Sequence, residues 1–201
     1  MGVAIGLKPH SGWAALVALS VDGTRLQAIE RCRIELTEEC DREWARMPYH
    51  AAENLKPERA RELIRRGIDA ANAIAIREIK RVADRLGSAG HPPLVCAVLA
   101  SEPMPAWSVE EILAVHFRMH KAEGVLFQDA LAKAAERSGM KAIKTLEKRL
   151  DQEAAAAFGA AREHVAASIA ALGKSIGAPW GKDQKNAALA AMLALGKADQ
   201  N

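Results

Sequence analysis

Residues 3–36 read VAIGLKPHSGWAALVALSVDGTRLQAIERCRIEL and contain three runs with the composition of β-strands. The runs cover residues 3–7, 13–21 and 25–36, and the second and third are separated by Asp22-Gly23. Asp-Gly between two β-prone runs is a strong hairpin signal, because both central residues of a type I′ turn need positive φ. The sequence therefore predicts a three-stranded antiparallel meander.

A second apolar run, LVCAVLA at residues 94–100, predicts a strand that is covered on both faces. A long helix is predicted before it, over residues 58–86, because proline stands at residue 57 and apolar residues recur at spacings of three and four. A helix that joins two such strands makes a parallel crossover. We therefore expect residues 94–100 to lie beside the first strand, with a further short strand at residues 140–146.

The composition indicates a folded protein, since 50% of the 201 residues are hydrophobic and 26% are charged. A net charge of +3 permits a nucleic-acid or phosphate-containing partner without requiring one. The three cysteines form no C-x-x-C pair, which favours reduced thiols over a disulfide framework. No run of about 18 uninterrupted apolar residues is present, so we expect a cytoplasmic protein that does not enter membranes.

A capping-box pattern, Ser-Val-Glu-Glu from residue 108, predicts a helix that runs to about Ser138. Within it His116, His120 and Glu123 have the i, i+4, i+7 spacing that places side chains on one helix face. These three residues can hold a divalent metal or frame a general acid or base. The alternative, which we favour, is a hydrogen-bonded pair of histidines with a partly buried glutamate.

Two further segments contain candidate residues. His50 follows the single tyrosine in a predicted connecting segment, where this pair either lines a site or closes the end of the core. An alanine-rich helix is predicted at residues 186–195, with Asp183 and Lys185 in or just before its first turn. The alanine-rich terminal helices, with Trp180 nearby, offer the contact surface of a homodimer, although a lone tryptophan is more often part of the core.

The order of these elements resembles that of the ribonuclease H-like superfamily and, within it, of the bacterial Holliday-junction resolvases. The Gly-Leu-Lys-Pro-His segment at residues 6–10 resembles the end of the resolvase first strand, where the family has an aspartate followed by proline and glycine. Glu102 is similar in position to the second family carboxylate, and Asp183 to the final acidic residues. The resemblance implies one α/β ribonuclease H-like domain over residues 1–201, a mixed sheet with flanking helices, and a helical C-terminal portion at residues 147–201 packed on it.

The resemblance also implies a metal-dependent nuclease reaction, because resolvases gather carboxylates around two divalent metals. Mg²⁺ or Mn²⁺ would then be the cofactor. This chain departs from the family pattern at two positions, since Lys8 stands where the first aspartate is expected and Lys185 where another acid is expected. A cation at residue 8 removes a metal ligand and repels the metals.

Three functional hypotheses follow. The first is a degenerate nuclease that acts as a binding or structural module, with Lys8, His10, Lys182 and Lys185 receiving a phosphate or another anion. The second is a divalent-metal-dependent phosphodiesterase or nuclease acting on nucleic acid, with catalytic candidates Glu102, Glu123 and Asp183. The third is a sugar- or nucleotide-phosphate enzyme related to the actin-like ATPases. It fits poorly because the first hairpin lacks a glycine-rich phosphate loop. The candidate ligand-binding residues are Lys8, His10, His50, His116, His120, Lys182 and Lys185.

Overall fold

Five strands form one mixed sheet in a computed structural model that describes residues 2–22 and 25–198. The strands are β1 Gly2–His10, β2 Trp13–Asp22, β3 Arg25–Glu35, β4 Val95–Ala100 and β5 Lys141–Leu146. Their order is β3-β2-β1-β4-β5, with β1 antiparallel to β2, β2 antiparallel to β3, and β1 and β5 parallel to β4. The predicted meander and the predicted position of residues 94–100 beside β1 are both confirmed. The turn predicted at Asp22-Gly23 lies partly outside the described residues.

Eight α-helices complete the described parts of the fold. They are α1 Arg42–Ala45, α2 Pro48–Ala52, α3 Pro57–Ser88, α4 Val109–Leu113, α5 His116–Arg137, α6 Leu150–Phe158, α7 Arg162–Ile176 and α8 Lys182–Ala198. None of the helices within residues 2–22 and 25–198 is long and apolar enough to cross a lipid bilayer.

Two predictions about the helices were wrong. The capping box at Ser108 is present, but the helix it starts ends at Leu113, and Val115 adopts an extended conformation before α5 begins. The break redirects the chain so that Ile112 and Met119, on either side of it, are both buried. The segment expected to be a loop around His50 is the short helix α2, which begins with proline at its first position.

Alternate residues of β1 face two different helical layers. Ile5 and Leu7 pack with α3 and α5 in one core, whereas Ala4 packs with α8 in the other. On the α8 side Gly6 allows direct contact between backbones, because a Cβ built there would lie 1.9 Å from the carbonyl oxygen of Ala187. Because side chains alternate along a strand, Lys8 and His10 lie on the same face as Ala4 and Gly6, which is the α8 side.

The basic residues of α3 are largely paired with acidic neighbours, as the interleaved charges of its sequence indicate. Arg77 bonds Glu38 on the segment after β3, and Arg85 bonds Glu30 on β3 itself. The hydrogen bonds that Arg77 donates to Glu38 and Arg85 donates to Glu30 raise the pKa values of these two guanidinium groups. This face of α3 is therefore a solvated surface with local ion pairs.

Candidate functional site

The parallel strands β1, β4 and β5 end at one edge of the sheet, where α8 also begins. Ligands of open α/β sheets bind outside the carboxyl ends of the strands, so this edge is the first candidate site. A cleft of about 540 Å³ lies there. It is lined by Ala100, Ser101, Glu102, Glu147, Lys148, Leu150, Asp151, Lys182 and Asn186.

Basic side chains of the chain bond Glu102 and Glu147, two of the three acidic residues that line this cleft. Lys8 Nζ donates to Glu147 Oε2 over 2.5 Å, and Lys148 Nζ lies 2.5 Å from Glu102 Oε1. The hydrogen bond from Lys148 holds the pKa of Glu102 below its ordinary value. Each of these cations follows or ends a strand, so the two ion pairs tie the ends of β1, β4 and β5 together.

His10 connects the end of β1 to α8. Its Nε2 donates to Asp183 Oδ2 over 2.9 Å. The imidazole stacks on Trp13, with ring centroids 4.2 Å apart and an interplanar angle of 9°, and the Arg33 guanidinium lies 4.0 Å from the same indole ring. The His10 side chain is therefore positioned from both sides, by the first hairpin and by the first turn of α8.

The structure separates the two lysines predicted near the start of α8. Lys182 lines the cleft at the sheet edge together with Asn186. Lys185 instead lines a smaller cavity of about 180 Å³ between α6, α7 and α8. The residues predicted to bind an anion therefore do not all lie together. Lys182 lies in the cleft with the ion pairs, and Lys185 does not.

Glu123 does not join the other two predicted catalytic acids, because it lies in the layer of α3 and α5. Its side chain is 3% exposed and accepts hydrogen bonds from His50, from the backbone N at 3.2 Å and from Nδ1 at 2.9 and 2.8 Å. Burial and the charge of Glu123 raise the pKa of Tyr49, which closes the end of the core. A metal centre that contains Glu102, Glu123 and Asp183 together is therefore not formed.

The two histidines of α5 lie beside this buried pair. His116 Nε2 and His120 Nε2 are 3.1 Å apart and share a hydrogen bond. The His50 ring is 4.9 Å from the His116 ring and 4.5 Å from the His120 ring, measured between centroids. The favoured prediction of a hydrogen-bonded histidine pair beside a buried glutamate is confirmed in geometry, but the partner of the glutamate is His50 on α2.

Two residues that line the cleft, Glu147 and Asn186, were not predicted from the sequence. Glu147 directly follows β5, and its position after a predicted strand was the signal that would have identified it. Asn186 lines the cleft from α8, where it lies one turn from Asp183. The pairing of His50 with Glu123 spans 73 residues of sequence and has no local signal.

The surface predicted to form a homodimer is largely used within the chain. The alanines of α8 at residues 187, 188, 190, 191 and 194 are buried in the core on that side of the sheet. Trp180 Nε1 donates to the Ile169 carbonyl, and the indole packs against Gly173. The homodimer stays a prediction, and its contact would need other residues.

Comparison with known proteins finds similarity in structure alone. No protein-family model matches the chain, and no curated protein matches it. The structure of Thermus thermophilus RuvC is similar with a TM-score of 0.54 and 15% sequence identity, covering 98% of this chain and 96% of that one. The T. thermophilus RuvC structure in complex with Holliday junction substrate gives a TM-score of 0.54 and 14% identity, covering 100% and 97%. The chain therefore has a ribonuclease H-like fold similar to that of RuvC, as the sequence resemblance implied.

Proposed function

We propose that this chain is a nucleic-acid-binding module in which ion pairs of the chain itself stand in place of the two-metal site of a nuclease. The Lys8–Glu147 pair carries this proposal. Lys8 occupies the position on β1 where the resolvase resemblance places the first metal-binding aspartate. Its side chain is only 17% exposed and lies 2.5 Å from the Glu147 carboxylate, so a positive charge already fills that corner of the cleft.

Two divalent ions do not fit the donors at this edge. A two-metal site needs several carboxylates directed at the same small volume. Glu102 and Asp183 each pair with a basic side chain, Lys148 and His10, and Lys8 adds a further charge that repels cations. No metal-dependent step is therefore assigned to this cleft.

A cation at this edge of the sheet is available to an anionic partner. Lys182 lines the cleft and has no ion-pair partner within the described ranges, so its ammonium is available to a phosphate. Lys148 and Arg149 lie near enough to Glu102 for their positive charges to lower the pKa of its carboxyl group. Lysines that contact phosphates supply sequence-independent, salt-sensitive affinity for nucleic acid. The likeness of the fold to RuvC, which has been solved with Holliday junction substrate, favours nucleic acid over a free phosphate, and such a partner agrees with the predicted cytoplasmic location.

The test is fluorescence anisotropy with labelled four-way-junction, duplex and single-stranded DNA in buffer that contains EDTA. We expect binding without metal that weakens as KCl is added. Lys182→Ala should weaken binding several-fold and reduce the salt slope by about 1, as expected for the loss of one phosphate contact. The matched control is Lys133→Ala, an exposed lysine on α5, which should bind as the wild type does.

A parallel incubation of the same DNAs with Mg²⁺ and with Mn²⁺ tests the alternative. We expect intact DNA after incubation with the purified protein. Cleavage by the wild type that is abolished by Glu102→Gln would contradict the proposal and support the metal-dependent nuclease. Absence of DNA binding, or equal weakening by Lys133→Ala, would also contradict it.

A further inference from the structure

Three histidine rings converge beside the buried glutamate, away from the cleft at the sheet edge. His50, His116 and His120 each offer one ring nitrogen, and the three nitrogens all lie within 4.8 Å of one another. Zinc bound tetrahedrally at about 2.0 Å needs its ligand nitrogens about 3.3 Å apart. The Nε2 atoms of His116 and His120 are 3.1 Å apart and so already have this spacing. The exposed rings of His116 and His120 can rotate, and their nitrogens need to move by about 1.5 Å at most to bring all three nitrogens to this spacing.

The Nε2 atom of His50 is buried and has no hydrogen-bond partner among the described residues. Because a carboxylate only accepts hydrogen bonds, Nδ1 of His50 carries the proton that is donated to Glu123. In the neutral ring Nε2 therefore presents a bare lone pair. A buried polar atom without a partner costs free energy, and a metal ion on the lone pair removes that cost.

Glu123 would hold one ligand of such a site in place without touching the metal. A histidine that ligates a metal commonly donates its other ring N–H to a carboxylate, which fixes the tautomer and the orientation of the ring. Glu123 does this with both oxygens, and it also accepts from the backbone N of His50. These bonds join α2 to α5 and hold Nε2 of His50 toward the other two histidines.

We propose that His50, His116 and His120 form a zinc site with three histidine ligands, for which Glu123 is a positioning residue. Neutral imidazoles select zinc and similar transition metals over Mg²⁺ and Ca²⁺, which prefer oxygen ligands. Three protein ligands leave a fourth coordination position for water or a small ligand. His116 and His120 are exposed, so both the ion and that fourth ligand can reach the site from solvent.

The experiment uses the full chain without a polyhistidine tag, stripped of metal with EDTA and dialysed. Zn²⁺ titration by calorimetry should give one ion per chain, and Co²⁺ should give the visible absorption of a four-coordinate site. His120→Ala, a change at an exposed position, should weaken zinc binding by about 100-fold or more because one of three ligands is lost. Glu123→Gln should weaken it by roughly 10- to 100-fold, as is typical when a residue that orients a metal ligand is changed.

The control is His164→Ala, which removes an exposed histidine of α7 and should leave zinc affinity unchanged. Circular dichroism of the metal-free proteins confirms that each variant is folded. Absence of stoichiometric binding by the wild type, or wild-type affinity in His120→Ala, would overturn the site. Wild-type affinity in Glu123→Gln would overturn the positioning role. Because this cluster is separate from the cleft, none of these results bears on the DNA-binding experiment.

Discussion

The carbonyl oxygen of Ala187 on α8 lies against Gly6 of β1 with no room for a methyl group between them. A Cβ on residue 6 would be 1.9 Å from that oxygen and 2.6 Å from the carbonyl carbon. Both are backbone atoms, so no side chain can rotate away to make space. The spacing between α8 and the sheet therefore depends on glycine at this position.

Gly6→Ala should destabilise the protein by about 3 kcal/mol, at the upper end of the usual cost of overpacking a core. The added methyl group can be accommodated only if α8 moves away from β1. Denaturation in urea, followed by far-ultraviolet circular dichroism, measures the change in the free energy of unfolding. Gly196→Ala is the control on α8 itself, since nothing lies within 4 Å of a Cβ there, and helix propensity predicts that it stabilises by up to about 1 kcal/mol. Equal stability of Gly6→Ala and the wild type would show that α8 is not held at this distance.

Gly67→Ala should displace α2 and with it His50. A Cβ on Gly67 of α3 would lie 2.8 Å from the Cβ of Pro48, which begins α2. We expect a loss of about 1–3 kcal/mol in stability and weaker zinc binding, because His50 moves relative to the two histidines of α5. Gly87→Ala, in the same helix but with open space around it, should keep wild-type zinc affinity. Unchanged affinity in Gly67→Ala would mean that α2 adjusts without moving its histidine.

Lys8→Asp should convert the cleft into a cation-binding site. The substitution removes the ion pair with Glu147 and adds a carboxylate next to a cleft that Glu102, Glu147 and Asp151 already line, which leaves the acidic side chains in excess. Without metal we expect a loss of about 1 kcal/mol from like-charge repulsion. Added Mg²⁺ or Mn²⁺ should raise the melting temperature of this variant, while the wild type should not respond.

The same charge change at an exposed lysine, Lys133→Asp, provides the comparison for that experiment. It should melt at the same temperature with and without Mg²⁺. A wild-type protein that binds Mg²⁺ as tightly as Lys8→Asp in titration calorimetry would contradict the expectation and return attention to the nuclease hypothesis.

Cys96 should make the protein less stable at alkaline pH. Burial raises the pKa of this thiol from 9.0 to about 12, because the thiolate would be fully enclosed. Above pH 9 the unfolded chain loses the thiol proton while the folded chain keeps it, so the unfolded state binds fewer protons and stability falls as pH rises. The free-energy difference between the wild type and Cys96→Ala should therefore shift by about 1.4 kcal/mol per pH unit in this window.

The measurement compares urea unfolding of the two proteins from pH 7 to pH 11. Below pH 8.5 the difference should be constant, which separates the ionisation from the small cavity that alanine leaves. Cys32 and Tyr49 remain in both proteins, so their raised pKa values cancel in the comparison. A constant difference across the whole range would show that Cys96 ionises without unfolding.

The sheet was predictable because its signals are local. The apolar run of β4 and the β-prone runs of the meander need only short stretches of sequence to be recognised, and the crossover rule then orders the strands. The His50–Glu123 pair was not predictable, because it joins α2 to α5 across 73 residues of sequence, and α2 is in turn positioned by the close approach of Pro48 to Gly67 of α3. The break at Val115 was missed for a similar reason, since burial of Ile112 and Met119 outweighs the continuous helical pattern.

The contact of α8 with β1 also bears on how the chain reaches its folded state. During synthesis β1 emerges well before α8, and domains form in the order in which their parts become available. Until α8 arrives, the apolar side chains of Val17, Leu19 and Leu99 on its face of the sheet remain open to water and to other chains. The contact of α8 with β1 joins residues that are far apart in the sequence, and contacts of this kind slow folding. This face of the sheet is therefore covered only by elements from the C-terminal part of the chain, α8 among them.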